Sequence, residues 1–177
     1  MSTTLKMLKS PLFGTFLGLD CILDENIIHS DSIVLDYGCG KGRVSIYLSY
    51  KTKCKAIGIE YDYALYSIAM KNNTLHTVSF IHMDACHYIV DDDITIFYFF
   101  NPFSMKVFRT VIHHILESYY RNNRKMYLIF YYPQDDYISY MNALDDYILY
   151  EIIDTNPIFH SNDLKEAIYI YTNLEEL

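Results

Sequence analysis

No apolar run in this 177-residue chain approaches the roughly 20 residues that cross a bilayer, so no membrane-spanning helix is expected. The opening residues, Met1-Ser2-Thr3-Thr4-Leu5-Lys6-Met7-Leu8-Lys9, lack the long apolar core of a signal peptide. Cysteine is scarce: Cys21, Cys39, Cys54 and Cys86 show no C-x-x-C spacing and no Cys/His pair of metal-ligand spacing. That pattern argues against a zinc site or a disulfide frame. It reads as free thiols in a reducing compartment, with the cytoplasm as the expected location. No Pro/Gly-rich linker, internal repeat or low-complexity stretch divides the chain. Cationic residues are in deficit too, 14 Lys and Arg against 22 Asp and Glu, for a net charge of −8. Binding of long duplexes rests on cations that neutralise phosphates, so free duplex nucleic acid is not an expected partner. The one basic cluster, Arg121, Arg124 and Lys125, precedes a predicted strand and so lies away from the ligand end of an open α/β sheet. It reads as a solvated loop.

What is present is a globular composition, 51% apolar and 20% charged. One domain over residues 1–177 is expected, large enough to bury about two-thirds of its unfolded surface, with residues 1–30 as an N-terminal extension. Near-continuous apolar runs predict strands at Ser32 to Asp36, Cys54 to Glu60, Val78 to His82, Ile94 to Phe100, Lys125 to Tyr132, Tyr147 to Asp154 and Ala167 to Thr172. Helices are predicted from Gly42 to about Tyr50, from Asp62 to Asn72, from Ser104 to Tyr120 and from Gln134 to Leu144, with Asp62 and Ser104 as N-caps. His113 and His114 fall on the third of these helices and read as a core-edge and surface pair. Thr155 to Glu166 holds Pro157 and no long helical period, so the last two strands should form a hairpin-like return.

The most informative stretch is Val34-Leu35-Asp36-Tyr37-Gly38-Cys39-Gly40-Lys41-Gly42-Arg43. A buried strand runs into three alternate glycines and then into a helix, which is how an open α/β sheet builds a nucleotide site. A dinucleotide fingerprint would need its third glycine at position 43, where Arg43 stands. The pattern is instead D-x-G-x-G-x-G. An acid two residues before the first glycine suits a ligand that carries a cation or an amine. The second strand ends on Glu60, 18 positions after Gly42, where a carboxylate can accept hydrogen bonds from both ribose hydroxyls. The acid-rich step Glu60-Tyr61-Asp62 also serves to start a helix. Asp84-Ala85 follows the third strand, a position where an Asp commonly forms a turn. The fourth strand runs into Asn101-Pro102-Phe103-Ser104, which on its own reads as a strand-ending turn.

The glycine loop resembles motif I of the class I S-adenosylmethionine-dependent methyltransferases, and the resemblance extends from about residue 31 to the end. It implies an α/β, Rossmann-like seven-stranded methyltransferase sheet, mostly parallel with an antiparallel last strand and helices on both faces. It implies S-adenosylmethionine as cofactor, held by Asp36, Tyr37, Gly38, Cys39, Gly40 and Gly42, with Glu60 on the ribose and Tyr61 on the adenine ring. Asp84 would receive the adenine amine, with an N–H near Ala85 on a ring nitrogen. Asn101-Pro102-Phe103 resembles motif IV of amino-directed methyltransferases, where the Asn side chain and the next carbonyl accept from the target amine and the aromatic ring stacks on it. Acceptors and a ring face both suit a nitrogen that becomes positive as it attacks a methyl sulfonium. No metal is required.

One proline stands where the nucleic-acid enzymes usually have two. With the acidic surroundings, that argues against a purine or cytosine amino group. Together these motifs look like a group of small bacterial-type methyltransferases of unassigned substrate. No recognition insertion separates the later strands, so the acceptor would be a small molecule, a peptide or a partner-presented macromolecule. Ser10 to Leu19 would either lie across the cofactor or form a helix packed on the sheet edge. Tyr131-Tyr132-Pro133 ends the fifth strand on the site side. The expected function is methyl transfer to a nitrogen nucleophile. Two other readings compete with it: a non-catalytic cofactor-binding subunit that activates a partner enzyme, against which the intact Asn101-Pro102-Phe103 argues, and a nicotinamide oxidoreductase, against which Arg43 and the lack of a Tyr-x-x-x-Lys motif argue.

Overall fold

The computed structural model describes residues 13–160, 163 and 165–173. Helix α1 (Phe13–Asp24) leads into β1 (Ile33–Tyr37), α2 (Arg43–Thr52), β2 (Lys55–Glu60), α3 (Tyr63–Asn72) and β3 (Val78–His82). A single 3-10 turn, Ala85–His87, then leads to β4 (Ile96–Phe99), α4 (Met105–Arg121), β5 (Tyr127–Tyr131) and α5 (Asp135–Asn142). The chain closes with β6 (Tyr147–Asp154), a four-residue helix α6 (Asn156–Phe159) and β7 (Ala167–Asn173). The seven strands form one sheet in the order β3-β2-β1-β4-β5-β7-β6. β1 to β5 are parallel to one another, and β7 runs antiparallel to both β5 and β6. This is the mostly parallel seven-stranded sheet with an antiparallel end that the resemblance to the methyltransferases implies.

Each central strand is apolar on both faces because helices cover both. On one face Val34, Ala56, Ile96, Tyr98 and Ile129 pack with Leu19 and Ile22 of α1 and Ile46 and Leu48 of α2. On the other face Leu35, Phe97, Phe99 and Phe130 meet Phe108, Val111, Ile112 and Ile115 of α4 and Tyr137 and Met141 of α5. The α4 stripe repeats at helical spacing, which buries one side of the helix and leaves His113 exposed beside Glu117.

Three expectations need correction or completion. Asp62 caps α3 as predicted, its side chain accepting from the Leu65 N–H at 2.9 Å. Ser104 stands at the start of α4 but its hydroxyl makes no cap bond, and the residue lines a cleft instead. α1 does not lie on the sheet edge: Leu19 and Ile22 are fully buried over the sheet face. Residues 10–12 of that segment lie outside the described residues.

The basic cluster is the clearest correction. Arg121 pairs with Asp92 at 2.8 Å and donates to the Val90 carbonyl at 2.7 Å. The Arg124 guanidinium donates to the carbonyls of Ile94 (2.7 Å), Ser118 (3.0 Å) and Asn122 (2.9 Å) and to the Ser118 hydroxyl (2.9 Å). The last carbonyls of a helix lack intrahelical donors, and a planar fork with five N–H groups supplies them. Arg121 and Arg124 therefore brace the end of α4 against the segment before β4, while Lys125 stays exposed in the loop as expected. Arg124→Ala should lower stability by about 2–3 kcal/mol in urea unfolding. Arg124→Lys should recover little of it, because an ammonium cannot span those acceptors.

Candidate active site

The site forms where β1, β2, β3 and β4 end side by side. β1 leaves the sheet through Gly38, Gly40 and Gly42, all with positive φ. At Gly38 the backbone passes so close to the next loop that a Cβ would meet Pro102 Cβ at 2.6 Å. At Gly42 it would run into the Phe80 ring. Gly42 is also the N-cap residue of α2 and has no side chain with which to cap it. Asp36 does that work from β1: its Oδ2 accepts from the Ser45 hydroxyl at 2.7 Å and the Ser45 N–H at 3.3 Å. Asp36 is 2% exposed, so its carboxyl secures the loop from beneath. Burial raises its pKa from the ordinary carboxylate range to about 6, against the lowering effect of the Ser45 bonds.

Glu60 holds the loop from the other side. Its Oε2 accepts from the Gly40 N–H and its Oε1 from the Asp62 N–H, both at 2.8 Å. Each carboxylate oxygen keeps a further lone pair for a ligand hydroxyl. Cys39 is buried, with its N–H bonded to the Ile59 carbonyl at 3.0 Å. Asp84 starts the 3-10 turn, its Oδ1 accepting from the Cys86 N–H at 2.9 Å. It thus forms the turn and faces the cleft at once.

A cleft of about 360 Å³ opens over these strand ends, a size suited to a small ligand. It gathers Gly38, Glu60, Tyr61, Asp84, Ala85, Pro102 and Phe103, seven of the thirteen residues singled out from the sequence. Tyr61 is 74% exposed at its mouth. The remaining six support that wall. Asp36, Cys39, Gly40 and Gly42 shape the loop as described. Tyr37 is buried, its ring stacked on Phe99 with centroids 5.1 Å apart and edge-on to Phe103. Asn101 sits between two lining residues in a left-handed conformation (φ 45°), and its Oδ1 is buried with no hydrogen-bond partner. Phe100 and Met83 also line the cleft, and sequence reasoning missed both. Each directly adjoins a motif residue, which was the available signal. Among the described residues the ionisable ones that line it are Glu60, Asp84 and Tyr61, with no Lys, Arg or His. Such a cleft attracts a cation.

A family model described as a methyltransferase domain matches residues 34–124, just over half of the chain. The chain belongs to the class I S-adenosylmethionine-dependent methyltransferases. S-adenosylmethionine is the cofactor that this family membership implies. A protein of Invertebrate iridescent virus 6, provisionally named methyltransferase 235L, is 28% identical over 153 residues, 83% of this chain. The match spans 56% of that viral relative's length. Among solved structures, an RNA methyltransferase from Salinibacter ruber, crystallised with S-adenosyl-L-homocysteine, has a TM-score of 0.62 at 16% identity, covering 89% of this chain and 91% of its own. The TehB-like methyltransferase of Corynebacterium glutamicum reaches 0.64 at 15% identity, covering 89% and 88%. The N-methyltransferase NodS from Bradyrhizobium japonicum reaches 0.60 at 14% identity, covering 81% and 86%. These three establish a shared fold.

Two predictions follow from the local geometry. Gly40 also has positive φ (55°), but a Cβ there would meet nothing within 4 Å. Gly40→Ala should therefore cost only the backbone strain, about 1–2 kcal/mol. Gly42→Ala should cost roughly 2 kcal/mol more, because Phe80 must also move; urea midpoints measure the difference. The second concerns pH. A carboxyl whose folded pKa is raised binds a proton more tightly folded than unfolded, so stability falls as pH rises from about 4 through about 6. Asp36→Asn removes that titration and can still accept from Ser45. Its unfolding temperature should fall less than wild type across the same interval.

Proposed function

We propose that this methyltransferase acts on the neutral, lone-pair-bearing form of an amine nitrogen, as in a small amine or a basic side chain that has lost its proton to solvent, with Asn101-Pro102-Phe103 as the acceptor-side residues. The observation that carries the reading is the composition of the cleft over the strand ends. Two carboxylates and Gly38 of the glycine loop line it together with Pro102, Phe103 and Phe100, and no cationic side chain among the described residues does. A phosphate-bearing acceptor would find no counter-charge there, whereas an amine would find acceptors and aromatic rings.

On this reading Glu60 receives the ribose hydroxyls, Tyr61 covers the adenine and Asp84 accepts from its amine. S-adenosylmethionine supplies a methyl group on a sulfonium centre, open to in-line displacement. Asn101 Oδ1 and the Pro102 carbonyl accept from the target N–H groups and favour the charge that grows on nitrogen. The unpartnered Oδ1 fits that role, because a buried acceptor without a donor costs about 1–3 kcal/mol that a bound amine offsets. Phe103, with its ring edge-on to Tyr37 and Phe99, gives the methyl path an apolar side. Residues 1–177 act on this reading as one cytoplasmic domain. No helix among the described residues is long and apolar enough to cross a membrane.

Calorimetric titration with S-adenosylhomocysteine, with NAD as control, tests the cofactor half. Wild type should bind S-adenosylhomocysteine and not NAD, and Glu60→Gln should weaken binding about tenfold, or ~1.4 kcal/mol. Transfer of a labelled methyl group to a primary amine, a lysine-rich peptide and a single-stranded RNA tests the acceptor half. Label should reach the amine or the peptide. Asn101→Ala should abolish that transfer while changing S-adenosylhomocysteine affinity less than threefold. Label on the RNA alone would overturn the proposed acceptor class.

A further inference from the structure

We propose that Tyr137 is a positioning residue for methyl transfer: one phenol oxygen fastens both backbone polar atoms of Phe103 and so sets the shape of the Asn101–Phe103 turn. The proposal rests on reading that turn as the acceptor side of the cleft. The Tyr137 hydroxyl donates to the Phe103 carbonyl at 2.6 Å and accepts from the Phe103 N–H at 3.0 Å. No other side chain bonds to the turn's backbone among the described residues, and residues 101–103 take part in none of the turn and loop backbone bonds. A backbone N–H and C=O that leave a sheet need partners, and here a single side chain from 34 residues downstream supplies both.

The phenol is itself held rigidly. Tyr137 is fully buried in the first turn of α5, and its ring lies on Phe108 with centroids 3.7 Å apart and planes 9° from parallel. Phe108 belongs to α4, the helix that leaves the Asn101–Phe103 turn, and its N–H closes the first helical bond onto the Ser104 carbonyl at 2.9 Å. Both ends of the clamp are therefore anchored in the same packed layer, and the turn between them is fixed in position and direction. Burial pushes the phenol's pKa up to about 12, so it stays a donor to the Phe103 carbonyl at any ordinary pH. What it fixes matters for two neighbours. Pro102 touches the cofactor loop at Gly38, and Asn101 holds a left-handed conformation that places its amide between two lining residues. A misplacement of about 1 Å in such positioning groups can cost up to 100-fold in rate.

Tyr137→Phe keeps the ring and removes both bonds. Hydrogen exchange of the backbone over residues 100–104 should accelerate at least tenfold, and S-adenosylhomocysteine affinity should fall three- to tenfold through the Pro102 wall. Where the amine or peptide acceptor is methylated, kcat should fall more than KM rises. Met141→Ala is the control: Met141 is buried on the same helix but touches no atom of the turn through a hydrogen bond. It should lower the unfolding temperature at least as much and leave affinity and exchange at 100–104 unchanged. A Tyr137→Phe protein with wild-type affinity and wild-type protection over 100–104 overturns the proposal. Equal loosening of the turn by Met141→Ala overturns it too, by reducing Tyr137 to a general stabiliser. Failure of wild type to bind S-adenosylhomocysteine would strike the functional reading instead, and the exchange experiment would still decide the clamp.

Discussion

The contact between Gly38 and Pro102 is the constraint on which the cleft depends. Two loops leave neighbouring parallel strands, one from β1 and one from β4, and they meet so closely that a single methyl group at position 38 could not be accommodated without movement. Every other feature of the site keeps that approach in place. Glu60 draws the β1 loop toward β2, Asp36 ties its far end to the start of α2, and Tyr137 holds the β4 turn by its backbone. None of these three interactions is between residues close in sequence. The loop itself supplies conformational freedom, and its neighbours remove that freedom again.

Asp36 illustrates what such a site costs. A carboxyl 2% exposed has lost most of its hydration, and two bonds to Ser45 repay only part of it, which is why its affinity for a proton rises. A polar but uncharged residue would fold with less penalty. The carboxylate gives α2 a cap that Gly42 cannot give, while leaving position 42 without a Cβ so that Phe80 can pack against the loop. Close packing and capping are thus divided between two residues on either side of the turn, and the buried charge is the consequence.

What was legible in the sequence follows from the range of the interactions. The strands at Val78 to His82 and Tyr147 to Asp154 and the Asp62 cap are set by runs of a few residues, and they lie where the pattern puts them. The glycine spacing and Glu60 were legible because a tight strand-to-helix turn and the carboxylate that tethers it impose spacing on the chain. Arg124 was misread because its acceptors are carbonyls of residues 91–122, which no local pattern marks. Ser104 stands at the N-cap position as expected but makes no cap bond, because composition shows which residues can cap and not which way a hydroxyl turns. Tyr137 was one aromatic among nineteen tyrosines, and only the fold brings it to Phe103.

On the proposed reading the two walls of the cleft act on different states of the reaction. Methyl transfer from sulfur to nitrogen moves a positive charge and creates none. A carboxylate near the cofactor end, such as Glu60 or Asp84, meets that charge mainly before transfer, and stabilising a ground state contributes affinity without speed. An acceptor at the nitrogen end meets the charge only as the new bond forms. On the proposed reading the acceleration therefore rests on Asn101, the Pro102 carbonyl and whatever holds them still, because an oxygen that must reorganise during the reaction loses most of its advantage over water. That places the demand for rigidity at residues 101–103, the part of the site with the fewest backbone bonds of its own. A fully buried tyrosine with both of its bonds spent on one residue is what such a demand would select.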